Sequence, residues 1–187
     1  MRPRIPRQST GDQVGPRADA DAGLSAELAA VLAGARRRAV RDGDRQIDTA
    51  HVLHSLLECP DVCAAFEGEA QVARLLGYLV QRSIGYGLRW QSTVEDSGAV
   101  PAVSGAEGYS PLASAALERA RARAARFGDE RARGLDLLAA VVADPQARAV
   151  EVLTRAGIDS GELFLRVESR PRGSGRYADS GSGEPAT

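Results

Sequence analysis

The chain has 187 residues, is 43% hydrophobic, and carries 24 basic and 25 acidic side chains for a formal net charge of -1. That length suits one or at most two domains, and the charge balance gives no global pull toward nucleic acid or an anionic membrane. Every basic side chain is arginine, which excludes a lysine phosphate loop or Schiff base, and no apolar run approaches the ~18 residues of a membrane span.

Residues 1–23 mix Pro, Gly, Asp and Arg with few large apolar side chains, so burial cannot offset their ordering entropy and a disordered tail is expected. The basic start is followed by polar residues rather than an apolar signal core, which points to a cytoplasmic protein.

A first helix follows. Leu24, Leu28, Val31, Leu32 and Ala35 form one apolar stripe, with Ser25 as N-cap, Arg36, Arg37 and Arg38 on a solvated end, and Gly43 as the stop. A second helix is expected over residues 49–58, capped by Asp48 or Thr49 and ended by Pro60. A short third helix over 61–67 and a fourth over 70–84, with Val72, Leu75, Leu76, Leu79 and Val80, complete a four-helix unit. Residues 86–108, rich in Gly and Ser and containing Pro101, read as a linker in which Trp90 covers a seam between subdomains.

The pattern then starts again. An offset of 85 positions takes Ser25 to Ser110, Leu32 to Leu117, Arg36 to Arg121, Gly43 to Gly128, Leu53 to Leu138 and Pro60 to Pro145, without a gap. Register kept through helix, turn and next helix implies one supersecondary unit used twice. The second copy has a helix from Ser110 to Phe127 with Pro111 in its first turn, then apolar elements carrying Leu135 to Val142, Val150 and Leu153, and Leu163 to Val167. No segment alternates like a strand. The expected fold is an all-α, eight-helix pseudo-twofold bundle, with repeat 1 over 24–85, linker 86–108, repeat 2 over 109–167 and a disordered tail over 168–187.

These residues resemble a known family. Leu24-Ser25, Ala39-Val40-Arg41-Asp42-Gly43-Asp44 and Ile47-Asp48-Thr49-Ala50-His51-Val52-Leu53 in the first copy are similar to the double-repeat N-terminal domain of Clp-type unfoldases. So are Tyr109-Ser110-Pro111, Ala124-Ala125-Arg126-Phe127-Gly128-Asp129 and Leu153-Thr154-Arg155-Ala156-Gly157-Ile158-Asp159 in the second. The resemblance implies a domain without chemistry of its own that receives substrates and adaptors, here as a stand-alone protein lacking the ATPase modules. It departs from the family at Ala50 and Leu135, which replace the acid through which some relatives bind phosphorylated arginine, and at Leu24, which replaces an aromatic.

Two other constellations are read as structural. His51, His54, Cys59 and Cys63 fall within thirteen positions, but Pro60 splits them and no Cys-x-x-Cys pair is present, so neither zinc nor any other cofactor is expected. Ser55 lies near both histidines without a nucleophile elbow around it, and no enzyme activity is expected. The arginine runs are interleaved with acids, so no nucleic-acid partner is expected.

The sequence thus points to a non-catalytic protein- or peptide-binding module, an adaptor or regulator of Clp-dependent proteolysis. Polypeptide clients, Clp ATPase or protease components, or a peptide-like small molecule would contact a groove at the repeat openings: Leu24, Glu27, Tyr109, Ser110 and Leu112. The alternatives are a decoy that sequesters peptide-like ligands or antibiotics from a full-length Clp ATPase, and a small helical DNA-associated regulator.

Overall fold

The computed structural model describes residues 22–83, 94–95 and 108–170, and the described residues form eight helices. Repeat 1 contains α1 (Ala26–Asp42), α2 (Thr49–Leu56), α3 (Pro60–Cys63) and α4 (Glu69–Ser83). Repeat 2 contains α5 (Pro111–Arg126), α6 (Gly134–Val142), α7 (Arg148–Arg155) and α8 (Ser160–Ser169). The four-plus-four order and all-helical class agree with the sequence reading. Most of the expected tails and linker, with Trp90, lies outside the described residues.

Local chemistry sets most boundaries. Ser25 and Ser110 cap α1 and α5 by accepting the amides of Leu28 and Ala113, both at 3.1 Å. Gly43 ends α1 in the left-handed region at φ 73°, where its amide reaches back to Ala39 and Val40. Pro60 acts differently from the expectation. The second helix already ends at Leu56, and Pro60 opens α3, where a missing N–H is tolerated.

The two helices α2 and α6 are buried along nearly their whole length and form the centre of the molecule. Leu53, Leu56, Leu137 and Leu138 are fully enclosed there, with Leu28, Leu75, Leu153 and Leu163 closing over them from the surrounding helices. Each such leucine contributes ~1.5–3 kcal/mol by leaving water. One core therefore crosses the repeat boundary.

The seam between repeats is reciprocal. Leu24 forms a parallel bridge with Ala132, and Tyr109 forms one with Ile47. Ser25 and Ser110 donate their amides to the carbonyls of Ala132 and Ile47, both at 2.9 Å; the amides of Ala132 and Ile47 in turn reach Gly23 and Gly108 at 2.8 and 2.7 Å. Each participant matches its partner under the 85-residue offset, so the sequence repeat becomes a structural twofold.

Candidate functional site

The residues at the repeat openings lie along this seam. Leu24, Tyr109, Ser110 and Leu112 are buried, the first two at 4% and 6% exposure, while Glu27 is an exposed residue whose carboxylate acts on the Cys59 thiol. The structure thus buries four of the five, places Leu24, Tyr109 and Ser110 in the bridges of the seam, and leaves Glu27 at the surface.

Two features of the structure go beyond the sequence reading. The first is an open apolar hollow of about 530 Å³ on repeat 1, lined by Cys63, Ala64, Phe66, Val72, Ala73 and Leu76 with Glu69 at its edge. It arises because α4 presents Val72, Ala73 and Leu76 on one face while the turn after α3 supplies Phe66. Its walls are the partly buried rim of the core rather than solvated charge. The four-residue spacing of Val72 and Leu76 was visible in the sequence, but their place beside Cys63 and Phe66 appears only in the structure.

The second is a buried charge cluster at the N-terminus of α2. Asp48 caps this helix by accepting the His51 amide at 2.9 Å. The His51 ring is wedged between acids, with Nδ1 2.8 Å from Asp48 Oδ1 and Nε2 3.1 Å from Asp44 Oδ2. Arg82 from α4 and Arg148 from α7 both donate to Asp48 Oδ2, Arg148 at 2.9 Å. Burial pushes the Asp48 carboxyl up, but the hydrogen bond and charge of His51, and then Arg82, outweigh it and hold the group well below the usual carboxylate range. For His51 burial favours the neutral ring, yet contact with Asp44 and Asp48 raises its pKa.

Asp44, Asp48 and His51 lie close enough together to hold a cation. Arg82, however, already touches both carboxylates, so the cluster carries its own positive charge and a metal ion would compete with a guanidinium. The expected equivalent in repeat 2 is rearranged: Arg133 stands at the N-cap and Asp136 replaces the histidine, its carboxylate accepting the Arg133 amide at 2.9 Å. Arg123 turns inward to pair with Asp136 and with Glu168, so this member of the arginine run is part of the interior rather than of a solvated face.

Among the described residues, the others considered for metal or nucleophilic chemistry do not gather three ligand atoms in one place. Cys63 donates its thiol to the Leu57 carbonyl at 3.0 Å. Burial, and after it Glu27, pushes the Cys59 thiol up to about 12, and burial raises Cys63 too. His54 is pushed down to about 4 by burial and then by Arg38 and Arg41. Ser55 is fully buried. This arrangement offers no activated nucleophile among the described residues.

This twofold repeat of four helices is similar in fold to the Clp N-terminal domain. Among solved structures, the N-terminal domain of the caseinolytic protease-associated chaperone ClpD from Arabidopsis thaliana matches with a TM-score of 0.56 and 16% identity, over 79% of this chain and 94% of that one. A chain from structural investigations of a malarial protein secretion system matches with a TM-score of 0.56 and 13% identity, over 78% and 92%. No protein-family model and no curated protein matches the sequence. At these identities the likeness is one of fold. Among the described residues, no helix is long and apolar enough to cross a membrane.

Proposed function

We propose that the chain is a non-catalytic receptor module that binds extended apolar polypeptide segments and serves Clp-dependent proteolysis in the cytoplasm as an adaptor or regulator. The observation that carries this reading is the open hollow between α3 and α4 on a Clp N-domain fold. Its apolar walls suit two or three side chains of an unfolded segment, and its volume falls in the range of peptide and small-ligand pockets. Glu69 at the edge gives a bound segment one polar contact.

The repeat openings belong to the same proposal as a second contact region. A segment docking there touches Glu27 directly, and reaches Leu24, Tyr109, Ser110 or Leu112 only where the seam parts. Binding of phosphorylated arginine through an acid next to the motif histidine is not included, because Ala50 and Leu135 stand at those positions.

The test is degradation of an unfolded client by a reconstituted Clp ATPase and protease, with and without this protein. An adaptor accelerates degradation, and the Ala73→Arg variant, altered at an exposed wall of the hollow, loses the acceleration. Protection of the same protease from an apolar cyclic peptide, without any change in client degradation, would instead mark a decoy. No effect in either assay contradicts both roles.

A further inference from the structure

Glu95 is buried at 3% exposure, although its neighbour Val94 is 58% exposed. The chain therefore dips from the surface by one side chain and places a carboxylate where three helix starts meet. Glu95 Oε2 accepts the Thr49 amide at 2.9 Å and the Ser110 hydroxyl at 2.6 Å. Oε1 accepts the Arg148 amide at 2.7 Å and the Thr49 hydroxyl. All four donors come from outside the segment that carries Glu95, at the starts of α2, α5 and α7.

We propose that the junction of α2, α5 and α7 is a carboxylate-binding cradle in which Glu95 is a tethered, exchangeable ligand, so that external carboxylates and the inter-repeat segment compete for one site.

Three arguments carry this. First, the donors are held by contacts that do not involve Glu95. Ser110 Oγ accepts the Ala113 amide as N-cap, Thr49 Oγ1 accepts the Ala149 amide at 3.0 Å, and the Arg148 side chain is pinned to Asp48. The cradle is thus preorganised, and two helix dipoles aim their positive ends at it. Second, emptying it would leave buried N–H and O–H groups without acceptors, so Glu95 leaves only in exchange for another acceptor. Release of the segment and binding of an external carboxylate are then reciprocally coupled.

Third, among the described residues the cradle exists once. The 85-residue offset maps Thr49, Ser110 and Arg148 onto Gly134, Ser25 and Cys63 in the other half. Gly134 has no hydroxyl, and Val62 Cγ2 lies 3.0 Å from where its Cβ would stand. The second copy is filled by carbon, so the cradle is not an automatic product of the repeated fold. It is also separate from the hollow between α3 and α4.

The test uses the full chain and Glu95→Ala, titrated with sodium formate against sodium chloride at matched ionic strength, while the Thr49 and Arg148 amide resonances are followed. Formate should saturate Glu95→Ala with shifts at both amides. Wild type should need at least ~10-fold more formate, because its tethered carboxylate competes at high effective concentration. Should Glu95→Ala be unfolded in buffer, formate should restore its helical circular dichroism. A capped pentapeptide of sequence Thr-Val-Glu-Asp-Ser, compared with its Gln counterpart, distinguishes a polypeptide carboxylate from a small free acid by which binds Glu95→Ala more tightly. Equal half-saturation in the two proteins, a folded variant without saturable shifts, or an unfolded variant that formate cannot rescue would each overturn the proposal.

Discussion

Asp48 and Arg148 stand 100 positions apart in the chain and 2.9 Å apart in space, joining the cap of α2 in repeat 1 to the first turn of α7 in repeat 2. Asp48 is fully buried. It accepts from Arg148, Arg82 and the His51 amide together, so this one carboxylate links three helices across the twofold. Removing its charge leaves two buried guanidinium groups undercompensated. Asp48→Asn should cost ~3–5 kcal/mol, the usual range for breaking a buried ion pair, and urea denaturation followed by circular dichroism measures it. A change under about 1 kcal/mol would assign the pair no structural weight.

The histidines give stability opposite slopes on either side of neutrality. His51 has a raised folded pKa, so its contribution is complete below the unfolded value of about 6.5 and is lost as pH rises through the folded value. His54 is pushed down to about 4; the unfolded chain binds its proton first, and stability falls as pH drops from about 6.5 toward 4. The urea midpoint should peak near pH ~6.5. His51→Gln should flatten the alkaline limb and His54→Gln the acidic limb. Asp48, held low, adds loss only at strongly acidic pH, as it protonates through its folded value. A midpoint that still falls above pH 7 in His51→Gln would remove His51 as the cause.

The close approach of repeat 2 to repeat 1 at Gly134 gives a packing prediction. A Cβ there would meet Val62 Cγ2 at 3.0 Å, and Val62 is fully enclosed. Gly134→Ala gains up to ~1 kcal/mol of helix propensity but should still destabilise by ~1–2 kcal/mol through overpacking. Val62→Ala alone leaves a small cavity. The double variant should be more stable than the sum of the two changes, and a strictly additive cycle would contradict the contact.

The thiols should be slow. With Cys59 pushed up to about 12, its alkylation by iodoacetamide at pH 8 should run at least ~100-fold slower in the native protein than in urea, since the thiolate is the nucleophile; Cys63, also raised, should slow in the same direction. Comparable rates would show that α3 opens readily.

Much of the fold was legible because it rests on local signals repeated in register: the Leu28–Val31–Leu32–Ala35 stripe, the Ser25 and Ser110 caps, and the Gly43 stop. The charge cluster was half legible. Asp48 as a cap and His51 as a buried histidine follow from neighbours three residues apart, whereas Arg82 and Arg148 reach Asp48 from 34 and 100 positions away. Nothing local marks Glu95 apart from Asp96 beside it; its role exists only once three helices converge. Nothing local sets Arg123 apart within its charged run, and it turns inward because Asp136, at the histidine position of the second copy, needs a cation. The hollow brings Cys63 and Phe66 against Val72 and Leu76, and α3, four residues where seven were expected, was not legible in its length.

The most direct measurement is a chemical-shift titration of the full chain with a permanently unfolded, reduced and carboxymethylated protein, alongside Ala73→Arg. The account predicts saturable shifts centred on Val72, Ala73 and Leu76, with binding at least ~10-fold weaker in the variant, as expected for a blocked apolar contact. Shifts elsewhere with equal affinity for both proteins, or none at all, would contradict a receptor role for the hollow between α3 and α4.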